Sequence, residues 1–173
     1  KELGELNAFN NKIIKLPLSL GALSHLKEVN FAANKLMQLP DEVVRRWKRI
    51  EVLSLYDNRL VKLAPIGHMR RLRELRLYNN NLPEMPAIAD GALPKLEVLE
   101  IHRNRIEAVP PAYFRATPSL KRLTLGKNQL YGIGGDIFKC KKLESLQLEE
   151  NALITLPDRL GELEALQSLF VQA

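Results

Sequence analysis

The chain has 173 residues and a mass of 19.7 kDa, room for one domain or a short repeat array. It is 46% apolar and 27% charged, which excludes intrinsic disorder; no apolar run approaches the roughly 18 residues of a spanning helix, and no segment reads as a signal peptide. The net charge of +6 is uneven, with 15 basic and 9 acidic side chains in residues 1–87 and 11 of each in residues 88–173. A single cysteine, Cys140, precludes an internal disulfide framework, and no Asn-x-Ser/Thr acceptor occurs; an intracellular, cytoplasmic protein is predicted.

One pattern recurs along the chain. LGELNAFNNKI (3–13) and LKEVNFAANKL (26–36) are followed by IEVLSLYDNRL (50–60), LRELRLYNNNL (72–82), LEVLEIHRNRI (96–106), LKRLTLGKNQL (120–130) and LESLQLEENAL (143–153). Seven full copies thus begin near Leu3, Leu26, Ile50, Leu72, Leu96, Leu120 and Leu143, and a truncated eighth begins at Leu166. Each copy closes on an asparagine: Asn11, Asn34, Asn58, Asn80, Asn104, Asn128 and Asn151, spaced by 23, 24, 22, 24, 24 and 23 residues.

The apolar and polar residues of each copy alternate as in a strand with one buried face. A separation of about two dozen residues is too long for a hairpin and suits a crossover that lays the next strand parallel. Eight such strands, roughly 4.8 Å apart, make a sheet about 40 Å wide. The returning segments carry Pro17, Pro40, Pro65, Pro86, Pro110 and Pro157, so extended chain or short helical turns are expected there. These take more room than strands, so the stack curves with the strands on the concave side. The recurring asparagine is read as structural, its amide serving backbone groups where the chain leaves each strand.

These copies resemble the leucine-rich repeat family, whose consensus is Leu-x-x-Leu-x-Leu-x-x-Asn-x-Leu, over essentially the whole chain. The Leu-Pro-x-x-Leu runs of IIKLPLSLGAL (13–23) and LITLPDRLGEL (153–163) are similar to the cytoplasmic repeats of Ras-pathway scaffolds and of relatives of erbin and scribble. Two copies depart, VPPAYF (109–114) and IGGDIF (133–138), placing Phe114 and Phe138 where longer repeats put a core phenylalanine. The resemblance implies an α/β solenoid, a right-handed superhelix with a concave parallel sheet and an irregular, short-helical convex side. It also implies a protein-binding role, in a scaffold, in a structural subunit such as the axonemal leucine-rich dynein light chain, or as the recognition domain of a larger enzyme or receptor.

No catalytic signature is present, and no metal or cofactor is predicted. His25, His68 and His102 lie in different repeats, too far apart in register for a metal site. Cys140 and Trp47 fall at core slots, and Gly132, Gly134 and Gly135 suggest a turn with positive φ. Neither end of the chain reads as a polar cap, so flanking segments of the same chain are expected to cover the stack.

The register places three ladders on the concave face. The first contains Phe9, Tyr56, Tyr78 and His102; the second contains Asp57, Arg103 and Lys127; the third contains Arg76 and Glu100. Tyrosine and arginine combine large area with a polar handle, so these residues form the leading candidate site for a protein partner. A second candidate is a basic stripe along one edge. Arg45, Arg46, Lys48 and Arg49 begin it, Arg70, Arg71 and Arg73 continue it, and Arg122 and Lys142 extend it. That stripe would suit nucleic acid or another anionic surface, the disfavoured alternative because it lacks interleaved aromatics.

Overall fold

The structure, a computed structural model, describes residues 2–88 and 93–172. Each copy of the repeat supplies one three-residue strand: β1 Glu5–Asn7, β2 Glu28–Asn30, β3 Val52–Ser54 and β4 Glu74–Arg76. They are followed by β5 Val98–Glu100, β6 Arg122–Thr124, β7 Ser145–Gln147 and β8 Ser168–Phe170. All eight lie in one parallel sheet in chain order.

The register is in phase throughout, pairing Leu53 with Leu75, Leu75 with Leu99 and Leu99 with Leu123. These central residues point inward and are essentially unexposed, so identical slots stack into one continuous core. No copy could bury this face alone; each leucine is covered by the copies on either side.

The return segments form short turns of helix. α1 (Asp41–Val44) and α2 (Pro111–Ala116) follow Pro40 and Pro110, and 3-10 turns span Leu18–Ala22, Gly135–Lys139 and Leu160–Glu162. Proline has no N–H to donate and a fixed φ, so it starts such turns without loss. Trp47 and Phe114 fill the layer behind the sheet and are among the largest fully buried side chains. Cys140 is buried with them, its thiol facing the carbonyls of Phe114 and Thr117 at 3.6 and 3.7 Å; burial pushes its pKa up to about 11.

Two sequence expectations are corrected. Phe138 is half-buried rather than in the core: Ile137 takes the inward slot, and the Phe138 ring lies beneath the Arg159 guanidinium at 3.5 Å. The glycines at 132, 134 and 135 do not adopt positive φ; Gly134 is extended at φ −61°, ψ 144° before the 3-10 turn. Positive φ occurs instead at Asn10, Ala33, Asp57, Asn79, Arg103, Lys127 and Glu150, all between 53° and 56°. These residues immediately precede the recurring asparagines.

The asparagine accounts for this bend. The Asn58 amide donates to the carbonyls of Phe31, Leu55 and Tyr56, and its Oδ1 accepts from the Leu36 N–H at 2.9 Å. Asn34, Asn80, Asn104, Asn128 and Asn151 repeat this arrangement, each bridging to the preceding copy. Asn11 is exposed and its amide donates only within its own copy, to Ala8 and Phe9.

A left-handed backbone is costly for most side chains and cheap for glycine. Ala33→Gly should therefore raise the free energy of unfolding by about 0.5–1 kcal/mol, the relief of strain exceeding the added chain entropy. Urea denaturation checks this; no change or a loss would mean that the bend carries no strain.

Candidate functional site

Strand alternation and the left-handed bend together aim the concave side chains. The residue two positions beyond each strand, as Tyr56 is beyond Ser54, turns back onto the sheet face. In three consecutive copies that residue is aromatic. Tyr56 stacks on Tyr78 with centroids 4.4 Å apart and planes inclined by 10°, and Tyr78 stacks on His102 at 4.6 Å and 9°. Ala32, buried and small, occupies the rung before Tyr56, and Phe9 lies beyond it with its ring 6.3 Å from Tyr56. Four rings thus run along the sheet as one strip. The strip ends at Gly126, over which the Glu149 carboxylate folds, with Glu149 Oε2 buried and unpaired.

Polar residues border the strip. The Asn79 amide donates to Asp57 Oδ1 at 2.6 Å, and Lys127 pairs with Glu150 at 2.8 Å. Arg103 is exposed and makes no ion pair among the described residues. On the other side Arg76 lies between two carboxylates, pairing with Glu74 and, at 3.4 Å, with Glu100. Asp57, Tyr78, His102, Arg103 and Lys127 line a shallow depression of about 300 Å³ beside the stack.

Burial pushes the Tyr78 hydroxyl up to about 12, reinforced by Tyr56, Asp57 and Glu100, so it is a neutral donor at physiological pH. Desolvation lowers the His102 pKa, with Arg103 acting in the same direction; one ring nitrogen lies 3.0 Å from the Thr124 hydroxyl. The folded state thus favours neutral imidazole, and the unfolded chain binds the proton more readily. Stability from His102 is present above the ordinary histidine pKa and is lost as pH falls through the lowered folded value. Between pH 7.5 and 5, thermal unfolding of the protein should shift down more than that of His102→Gln. Equal shifts would show that His102 titrates alike folded and unfolded.

The predicted basic residues do not form one uniform stripe. The row that opens the strands reads Lys27, Glu51, Arg73, Glu97, Lys121, Glu144, alternating in sign. Arg73 and Lys121 both pair with Glu97, at 2.8 and 2.9 Å, and hold its carboxyl below the usual range. Arg122 reaches Glu100 at 4.0 Å. Arg45 and Arg46 follow α1 on the return side, whereas Lys48, Arg49, Arg70, Arg71 and Lys142 are exposed in the turns before the strands. Among the described residues no group of histidine, cysteine and carboxylate side chains could hold a metal, and no helix is long and apolar enough to cross a membrane.

Known proteins share this architecture. The chain resembles the leucine-rich repeat protein LIC12759 of Leptospira interrogans, with 33% identity and a TM-score of 0.90, covering 97% of this chain and 42% of that one. It resembles the plant peptide hormone receptor RGFR1, solved in complex with RGF2, with 27% identity and a TM-score of 0.82, covering 96% of this chain and 28% of that one. The probable serine/threonine-protein kinase pats1 of Dictyostelium discoideum is 27% identical over 98% of this chain. The chain spans only 5% of the length of pats1 and 3% of that of roco10, a second kinase-like relative from the same organism. The similarity is thus to the repeats of these proteins. The family model for the leucine rich repeat matches residues 70–130, 94–140 and 118–173. With an in-phase parallel sheet built from asparagine-closed copies, the chain belongs to the leucine-rich repeat family.

Proposed function

We propose that this chain is a non-enzymatic recognition module that captures another protein on its concave face through the strip formed by Phe9, Tyr56, Tyr78 and His102. The stacking of three rings at 4.4 and 4.6 Å carries the reading. Rings held against one another surrender little further rotamer freedom on binding, so much of their apolar area is available as affinity. Arg103, exposed and unpaired beside the strip, offers the charged contact; Asp57, Glu100, Arg76 and Lys127 have partners and would set specificity rather than strength. RGFR1 in complex with RGF2 is a relative that binds a peptide hormone, which favours an extended polypeptide as the ligand. The setting we propose is an intracellular scaffold or regulatory assembly. The anionic-surface reading is weaker, since several basic edge residues already serve Glu97 and Glu100.

Affinity capture from cells of the source organism, comparing the protein with Tyr56→Ala/Tyr78→Ala, tests the reading. A partner held by the parent and missing from the variant is expected. Its dissociation constant should rise about 30-fold or more, equivalent to roughly 2 kcal/mol, with the melting transition nearly unchanged. Capture of the same proteins at equal affinity would overturn the proposal.

A further inference from the structure

The surface beyond the concave face holds a second, unrelated feature. After each of the first three asparagines the chain runs through an apolar pair whose second member stays outside the core. Leu36 and Leu60 are unexposed, but the residues that follow them, Met37 and Val61, are 54% and 46% exposed, and Ile14 in the preceding copy is 59% exposed. These three are neighbours on successive copies: the Val61 N–H donates to the Met37 carbonyl at 3.1 Å, and all three line one groove of about 640 Å³. Its floor is Leu16 and Leu39, and its far end is Pro40 with the start of α1. The strip stops at the fourth copy, where Pro83 and Glu84 take the corresponding positions.

Basic residues accompany the exposed apolar side chains in all three copies. Lys12, Lys35 and Arg59 follow Asn11, Asn34 and Asn58, each two residues before an exposed apolar side chain of the groove. Lys15 and Lys62 line the groove itself, with Gln38 at the same position in the copy between them. All five cations are exposed, and none makes an ion pair among the described residues, in contrast to Arg73, Arg76 and Lys121 on the sheet side. Among the described residues the acids lining the groove are Asp41 and Glu42, next to Pro40. Five of the 15 basic side chains of residues 1–87 thus lie within two residues of Ile14, Met37 or Val61.

We infer that this flank is a second docking surface, which takes an acidic amphipathic helical segment of a partner protein. Three rungs about 4.8 Å apart span about 10 Å, which matches the rise of the seven residues separating anchors i and i+7 of an α-helix. A helix laid across the copies would set its apolar stripe on Ile14, Met37 and Val61 and its carboxylates against these cations. A groove suits a segment of protein better than a lipid surface, which favours interfacial aromatics, and the lining of this groove holds none.

The test uses two 15-residue helical peptides with the same leucine stripe, one with glutamate at the remaining positions and one with lysine. Vesicles containing phosphatidylserine are titrated in parallel, and the Met37 methyl resonance is the site-specific readout. The glutamate peptide should shift that resonance and the lysine peptide should not, and the affinity should fall with added salt. Lys15→Glu/Lys62→Glu, at exposed positions, should weaken binding about tenfold or more, while Tyr56→Ala/Tyr78→Ala leaves it unchanged. Equal response to both peptides, indifference to the charge reversal, or a Met37 response to vesicles alone would overturn the inference.

Discussion

Replacing Asn80 by alanine is expected to lower the free energy of unfolding by about 3–5 kcal/mol, among the largest effects open to a side chain of this size. Two amide hydrogens serve three carbonyls, those of Leu55, Leu77 and Tyr78, while Oδ1 accepts from the Leu60 N–H. The carbonyls belong to two different copies, so the side chain both closes its own strand and holds it to the one before. Asn80 is 8% exposed, and water cannot replace these partners without opening the stack. Asn80→Asp should be at least as harmful, because its carboxylate would face carbonyl oxygens it can only repel. Asn11 provides the control: it is exposed and its amide donates to two carbonyls of its own copy, so Asn11→Ala should cost under about 1 kcal/mol. Urea denaturation of the three variants checks the order. Equal losses at Asn11 and Asn80 would remove the bridge between copies from the explanation.

Much of this architecture is legible because the sequence repeats. One reading of Leu53, Leu75, Leu99 and Leu123 as inward and Tyr56, Tyr78 and His102 as neighbours applies to every copy, and repetition averages away the ambiguity of any single short strand. The left-handed row is harder to see. Asn10, Asp57 and Asn79 tolerate positive φ, but Ala33, Arg103, Lys127 and Glu150 share the same conformation without any intrinsic preference for it. There the asparagine that follows dictates the backbone, and a side chain's own propensity is overridden. The flank of Ile14, Met37 and Val61 is obscured for another reason. Each follows a core residue directly, so a run of two apolar residues reads as a buried segment until the backbone shows that only one of the pair turns inward. Ion pairs are the least legible feature. Glu97 receives both Arg73 and Lys121 because the copies set them side by side, which a charge count along the chain cannot reveal.

Trp47→Ala is the second substitution with a large expected effect, about 3–5 kcal/mol. The indole is fully buried and its N–H points to the Leu20 carbonyl at 3.4 Å, across the boundary between the first and second return segments. Truncation would open a cavity larger than the surrounding side chains can fill, since Val43, Val44 and Ile50 are branched and already fully packed. In a solenoid each copy touches only its neighbours, so the damage should stay local. Hydrogen exchange should therefore speed up chiefly in residues 2–49, while the amides of β5 and β6 keep most of their protection. Phe138→Ala removes a ring of similar chemistry from a half-buried position under Arg159 and should cost under about 1.5 kcal/mol. If Trp47→Ala lowered protection uniformly along the chain, the copies would be unfolding as one cooperative block, and the nearest-neighbour account of the stack would fail.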